Sequence, residues 1–308
     1  MKLLLVIIIS LLSISFYGQS ADVYFKLGQK QMGLQNYKEA IYDFTKAIEL
    51  DTTLVSAYCN RGLAKKKLED YQGAIQDYNK AIELNPNFAV TYNYKGLVMI
   101  SLKDYEGAIK DFDKAIVLNP KYADAYHNSG TAKNELGKYN SAIDDFNKDI
   151  ELDSKDSDPY VGRGFAKEHL KNYKGAIEDY TKAIELNPNN AKAYNNRGYT
   201  NSLLGNYNGI IEDYNKAIEL NPKYTQAYFN RGFSNYKLGQ YNDAMIDFTK
   251  AIELNPKYAE AYFNRGSAKY KLKDKAGACA DWEQASILGN TEAKTLLNKN
   301  CYGAIKKG

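Results

Sequence analysis

Two histidines (His127, His169) and three cysteines (Cys59, Cys279, Cys301) are the strongest metal-binding and nucleophilic side chains in the 308 residues. They stand far apart with no metal-ligand spacing, so no zinc centre is expected. No nucleophile–base pair recurs near either histidine, and no glycine-rich phosphate loop follows a strand, so neither an enzyme nor a cofactor is expected. What does recur is charge. Aspartate stands at Asp43, Asp77, Asp111, Asp145, Asp179, Asp213, Asp247 and Asp281, and arginine at Arg61, Arg163, Arg197, Arg231 and Arg265. Paired carboxylates could do acid–base work, but each of these is 34 residues from its next copy. Ion pairing with the arginines across a helix interface is the expectation, worth ~0–1 kcal/mol per pair if exposed. Breaking a buried pair costs several times more, because one charge is left alone.

The interval of 34 belongs to the whole chain. Gly28, Gly62, Gly96, Gly130, Gly164, Gly198, Gly232 and Gly266 keep it without insertion or deletion. Counting Ala21 as position 1, glycine is at 8, aspartate at 23 and arginine at 7. Tyrosine holds position 4 (Tyr24 through Tyr262) and, in seven repeats, position 17 (Tyr37 through Tyr241). Position 20 is alanine except at Ile210, and position 24 is always aromatic, from Phe44 to Trp282. Much of the tyrosine excess, 28 against one tryptophan, is therefore packing. Positions 2–14 and 17–30 each space apolar residues three and four apart, which predicts two helices per repeat with one buried stripe each. Glycine at 8 and alanine at 20 let the two axes approach, and the aromatics fill the flanks. Asn-Pro pairs such as Asn85-Pro86 and Asn255-Pro256 end the second helix, proline disfavouring helix before it and asparagine tolerating a left-handed backbone. Pairs such as Gly205-Asn206 and Gly239-Gln240 make the turn between the helices.

This series of small and aromatic residues resembles the tetratricopeptide repeat, with Ala57 to Pro86 and Ala227 to Pro256 close matches. The resemblance covers eight repeats over 21–290 (21–54, 55–88, 89–122, 123–156, 157–190, 191–224, 225–258, 259–292). It implies an all-α, right-handed superhelical α-solenoid of helix-turn-helix repeats whose first helices line a groove that binds a polypeptide. Repeat four departs most. Asp149 replaces the position-27 alanine, and Asp153-Ser154 replaces Asn-Pro, so the weakest joint is expected between repeats four and five. Asp158 and Pro159 read as a helix cap and first helical residue. Repeat eight loses its Asn-Pro at Gly289-Asn290, and a capping helix is expected over 291–302, before a flexible tail at 303–308. Cys279 and Cys301 fall in these last two elements, and both a disulfide and two free thiols are open.

In relatives of this kind the ligand side is formed by positions 2, 5, 9, 12 and 13. Carried onto this chain, the resemblance implies peptide-groove residues Asn195, Tyr199, Phe229, Phe233, Tyr236, Lys237, Phe263, Tyr270 and Lys271, an aromatic surface edged by lysine. Phe229 and Phe263 are the leading candidates, because position 4 already holds a packing tyrosine. Such a surface suits an extended peptide with apolar and acidic residues; an aromatic groove that holds a glycan or cell wall is the alternative. The clamp by which some relatives hold a chaperone's terminal carboxylate is absent, since position 5 is never lysine and position 9 never asparagine. The 41 Lys and Arg against 37 Asp and Glu, net +4, are interspersed, which argues against a nucleic-acid partner. Lys2 followed by the charge-free apolar run Leu3 to Phe16 and small residues at Gly18 and Ser20 reads as a signal peptide, residues 1–20, too short for a membrane span. An exported protein, periplasmic or secreted, with no later span is the expectation.

Overall fold

The computed structural model describes residues 20–207 and 209–302. All but one residue of the expected signal segment, and the expected 303–308 tail, lie outside the described residues. Seventeen helices and no strand occur among the described residues, and the chain divides into two compact halves, Met1–Ser154 and Lys155–Gly308. In the first half, α1 (Ala21–Gly33) pairs with α2 (Tyr37–Leu50), α3 (Val55–Lys67) with α4 (Tyr71–Leu84), α5 (Ala89–Ser101) with α6 (Tyr105–Leu118), and α7 (Ala123–Glu135) with α8 (Tyr139–Leu152). The second half repeats the scheme with α9 (Asp158–His169) and α10 (Tyr173–Leu186), α11 (Ala191–Leu203) and α12 (Ile211–Leu220), α13 (Thr225–Lys237) and α14 (Tyr241–Leu254), and α15 (Ala259–Lys271) and α16 (Lys275–Ile287). A last helix, α17 (Thr291–Asn300), packs on α16 as the expected cap. This is an all-α helical-repeat solenoid. Within each half, first helices of successive repeats also touch one another (α1 with α3, α11 with α13), so they share one face of the stack.

The packing follows from the repeated residues. Every position-24 aromatic is buried, and the position-8 glycine lies against its ring: a Cβ on Gly96 would come within 2.5 Å of Phe112. The seven position-20 alanines are fully buried. At the turn between helices the position-16 N–H bonds back five residues, as Asn36 to Gln31 and Gln240 to Asn235, the signature of a Schellman cap. That cap requires a left-handed residue at position 15, which is Gly137 (φ +70°), Gly205 (φ +78°) or Gly239 (φ +79°) but elsewhere Gln35, Glu69, Lys103, Lys171 or Lys273. The Asn-Pro ends work differently from the expectation. Asn85, Asn119, Asn187, Asn221 and Asn255 are extended, with φ near −140°, not left-handed. Each instead accepts on its side-chain oxygen the N–H two residues on, at 3.0–3.1 Å, an Asx turn. At α9 the N-cap is Ser157, one residue before the Asp158 that the sequence suggested.

The Arg–Asp pattern is an intra-repeat ladder between first and second helix. Arg61, Arg163, Arg197, Arg231 and Arg265 each give Nε and Nη2 to the two oxygens of Asp77, Asp179, Asp213, Asp247 and Asp281, at 2.9–3.0 and 2.6–2.7 Å. Each guanidinium also lies over the position-4 tyrosine of its own repeat. Arg61, Arg197, Arg231 and Arg265 spend Nη1 on the preceding repeat, at Thr45, Thr181, Asn215 and Thr249. The ladder therefore joins helices within a repeat and repeats to each other. Lys95 and Lys133 stand in where arginine is missing, opposite Asp111 and Asp145. Burial raises both of those carboxyls against the pull of their lysines. In repeat four the buried Asp149 is met by His127 Nδ1 at 3.2 Å, so the charge at an alanine position has a partner. At the other end, Cys279 and Cys301 form a disulfide. It ties α17 to α16, where Ala293 and Leu297 are buried with Trp282, Ala285 and Ala278.

Candidate functional site

The first-helix face of the second half carries the residues of interest, and its register decides which of them a partner could reach. Position 5 turns toward the next repeat. Asn195 is 4% exposed, donates to Asn196 at 3.2 Å and accepts from Asn230 of the following repeat at 3.0 Å. The first half repeats this with Asn93, which accepts from Asn128 and donates to the Tyr122 hydroxyl. Asn195 is thus a repeat-to-repeat staple rather than an open groove residue. Phe263 packs on the Trp282 and Leu297 cluster beneath the cap. Phe229 is half-buried, its ring 4.8 Å from Tyr258, 5.7 Å from Phe248 and 6.5 Å from Phe233. Of the two leading candidates, then, Phe263 is committed to packing beneath the cap and Phe229 is shared.

Positions 9, 12 and 13 stay on the surface. Tyr199 is 40% exposed, and burial of the remainder together with the nearby Glu168 carboxylate pushes its phenol up. Phe233 is half-buried beside Phe229, with Lys237 Nζ 5.1 Å above its ring. Tyr236 leans edge-on against Tyr241, and Tyr270 lies tilted against Trp282 with its hydroxyl donating to Asn300. Lys271 is exposed.

Three of the expected residues come together. Tyr199, Phe229 and Phe233 line a cleft of about 310 Å³, with Ser202, Leu203, Tyr207, Tyr214 and Asn230. Asn195, Tyr236, Lys237, Phe263, Tyr270 and Lys271 are not in its wall. Ser202, Leu203, Tyr207, Tyr214 and Asn230 were not expected from the repeat positions; Tyr207 and Tyr214 belong to the position-17 and position-24 packing series. Among the described residues no group of three or more His, Cys, Asp or Glu could hold a metal ion. No helix among them is long and apolar enough to cross a membrane.

Comparison with known proteins agrees with the repeat. Profiles described as tetratricopeptide repeat match residues 21–54, 55–88, 77–110 and 123–156, and one described as TPR repeat matches 96–133, 169–205, 202–239 and 235–273. No curated protein matches the chain. Among solved structures, a chain of the APC/C hetero-tetramer Cut9-Hcn1 superposes with TM-score 0.68 at 18% identity, covering 86% of this chain and 52% of that one. The present chain thus spans about half the length of that relative. A tetratricopeptide repeat protein from Parabacteroides merdae gives TM-score 0.63 at 19% identity over 83% of this chain and 98% of that one. Pseudomonas aeruginosa pilF gives 0.60 at 19% identity over 67% and 94%. At such identities the structures speak for the fold alone. The profiles, which together run over 21–156 and 169–273, speak for more: the chain belongs to the tetratricopeptide-repeat family of protein–protein interaction scaffolds.

Proposed function

We propose that the protein is an exported, non-catalytic scaffold that binds an extended polypeptide segment along the first-helix face of its second half. The observation that carries this reading is the meeting of Tyr199, Phe229 and Phe233 in an open cleft, with Lys237 beside it. Aromatic side chains give large contact area at low entropic cost, and a lysine at the edge selects acidic neighbours. Export is supported by the pattern of residues 1–20 and by the disulfide, which persists in oxidising compartments.

The test is site-specific photo-cross-linking in cells, with benzoylphenylalanine at Tyr199 on the first-helix face or at Ile246, which is 67% exposed on a second helix. A polypeptide adduct at Tyr199 and none at Ile246 is the expected result. Equal adducts at both positions, or retention of glycans with no polypeptide, overturns the reading. The intact mass of the protein recovered outside the cytoplasm should correspond to a chain beginning at Ala21.

A further inference from the structure

Repeat six breaks the frame once, and the cleft lies where it does. In the other seven repeats the second helix begins at position 17, from Tyr37 to Lys275; in repeat six α12 begins four residues late, at Ile211. Capping chemistry does not account for the delay. Asn206 and Gly209 stand where Asp70 and Gly73, or Asn172 and Gly175, make the N-cap bond elsewhere. Repeats with no side-chain cap bond, as at Asn36 and Gln240, still start on time. The residue that differs is Ile210, in the slot that alanine fills in every other repeat. Position 20 sits at the closest approach of the two helices, and forcing extra methyl groups into such a contact costs about 1–3 kcal/mol. Ile210 is nonetheless buried, 1% exposed, and it stands as the N-cap of α12, with Tyr207 and Gly209 outside the helix. Beside this late start, Tyr199, Leu203, Tyr207, Tyr214, Phe229 and Phe233 surround the cleft.

The wall identifies its guest. Two of its polar side chains are already engaged: the Ser202 hydroxyl donates to the Tyr199 carbonyl at 2.6 Å, and Asn230 donates to Asn195 and accepts from Gln226. The rest of the wall is mainly aromatic and aliphatic surface, which suits a hydrocarbon or aromatic side chain. A volume of about 310 Å³ is at the small end for ligand sites, enough for one large side chain. At the lip, Lys237 reaches over Phe233, and among the described residues no carboxylate pairs with it. Resting on the reading that this face takes a polypeptide, we propose that the repeat-six cleft anchors one bulky apolar side chain of the partner, that Lys237 holds an acidic residue next to that anchor, and that Ile210 is the positioning residue that keeps the cleft open.

The probe is acetyl-Trp-Glu amide, titrated into the mature chain and followed by NMR, against acetyl-Ala-Glu amide and acetyl-Trp-Gln amide. Acetyl-Trp-Glu amide should perturb Tyr199, Leu203 and Phe233 and bind at least about tenfold more tightly than the alanine probe. Lys237→Glu should reverse the preference for Glu over Gln. Ile210→Ala should extend α12 toward Tyr207, seen as new amide protection at 209–211, and cost about tenfold in binding while thermal stability is kept. Ile210→Val should bind like the parent. Undiminished binding by Ile210→Ala, or perturbations lying outside the cleft, overturns the anchor site. If the probe fails while polypeptide still cross-links at Tyr199, the anchor site alone falls. If the probe binds as expected and no polypeptide cross-links, the polypeptide reading falls, and with it the guest class assigned here.

Discussion

Removing one guanidinium from the ladder tests whether these ion pairs carry stability. Arg231→Leu keeps the aliphatic bulk of the side chain but deletes two bonds to Asp247, at 3.0 and 2.6 Å, one to Asn215 at 2.6 Å, and the contact over Tyr228. Asp247 is 2% exposed and would keep only the Asn235 amide, at 3.3 Å. Breaking a buried pair from one side costs about 3–5 kcal/mol; because Arg231 is partly open to water, the low end, about 3 kcal/mol, is expected. At 2–4 °C per kcal/mol that is roughly 6–12 °C in the unfolding midpoint of the second half. The pH dependence gives a second reading. Burial already raises the Asp247 carboxyl above the ordinary aspartate value, while Arg231 and Asn235 pull it down, so loss of the arginine raises it further. A carboxyl raised in the folded state contributes stability below its unfolded pKa and loses it as pH rises through the folded value. The deficit of Arg231→Leu should therefore be large at neutral pH and shrink on acidification, as the buried acid takes up its proton. Paired thermal melts of the parent and Arg231→Leu at neutral and acidic pH measure both. A variant that melts with the parent at neutral pH, or a deficit that grows on acidification, would refute the argument.

Two further perturbations probe the frame itself. Gly96→Ala sets a methyl 2.5 Å from the buried Phe112 ring and should destabilise the first half by about 1–3 kcal/mol in urea titration, although alanine is the better helix former. Gly33→Ala, with nothing within 4 Å of the added Cβ, should instead be neutral or gain up to about 1 kcal/mol. Cys301→Ser releases α17, whose ten residues are too few for a helix to persist alone, and the 22-residue separation makes the lost cross-link worth about 3 kcal/mol. Hydrogen exchange should then show 291–300 opening while α15 stays protected; unchanged protection of 291–300 would show that Ala293 and Leu297 hold the cap unaided.

The repeat was fully legible, because the glycine at position 8, the alanine at position 20 and the aromatic at position 24 form one three-body contact that tolerates little else. The aspartate at position 23 and the arginine at position 7 were legible as partners for the same reason. What the frame could not give was depth. Asn195 and Phe263 share the first-helix face with Tyr199, but stacking of the next repeat or the cap covers them, and only coordinates show how far that cover reaches. Asn85 and its copies show a different limit. Asparagine can cap a helix through left-handed backbone or through its side chain, and the following proline, which favours an extended residue before it, decides for the second.

Ile210 lies between these cases. Its departure from alanine is plain in the sequence, yet the sequence around it, with Asn206 and Gly209 in place, still describes a normal helix start. Two remedies for the crowding were available: the helix axes could separate, or the first turn could unwind. Separating the axes would also loosen the position-8 contact, where a Cβ on Gly198 would come within 2.9 Å of Tyr214, and would stretch the Arg197–Asp213 rung. Unwinding sacrifices only a few terminal hydrogen bonds, which water replaces. The rigid part of the repeat therefore stays intact and the adjustment falls on the residues nearest the surface. That is why a single misfit residue in an otherwise regular array produces a cleft with firm walls, and why the position that breaks the rule is the one to mutate first.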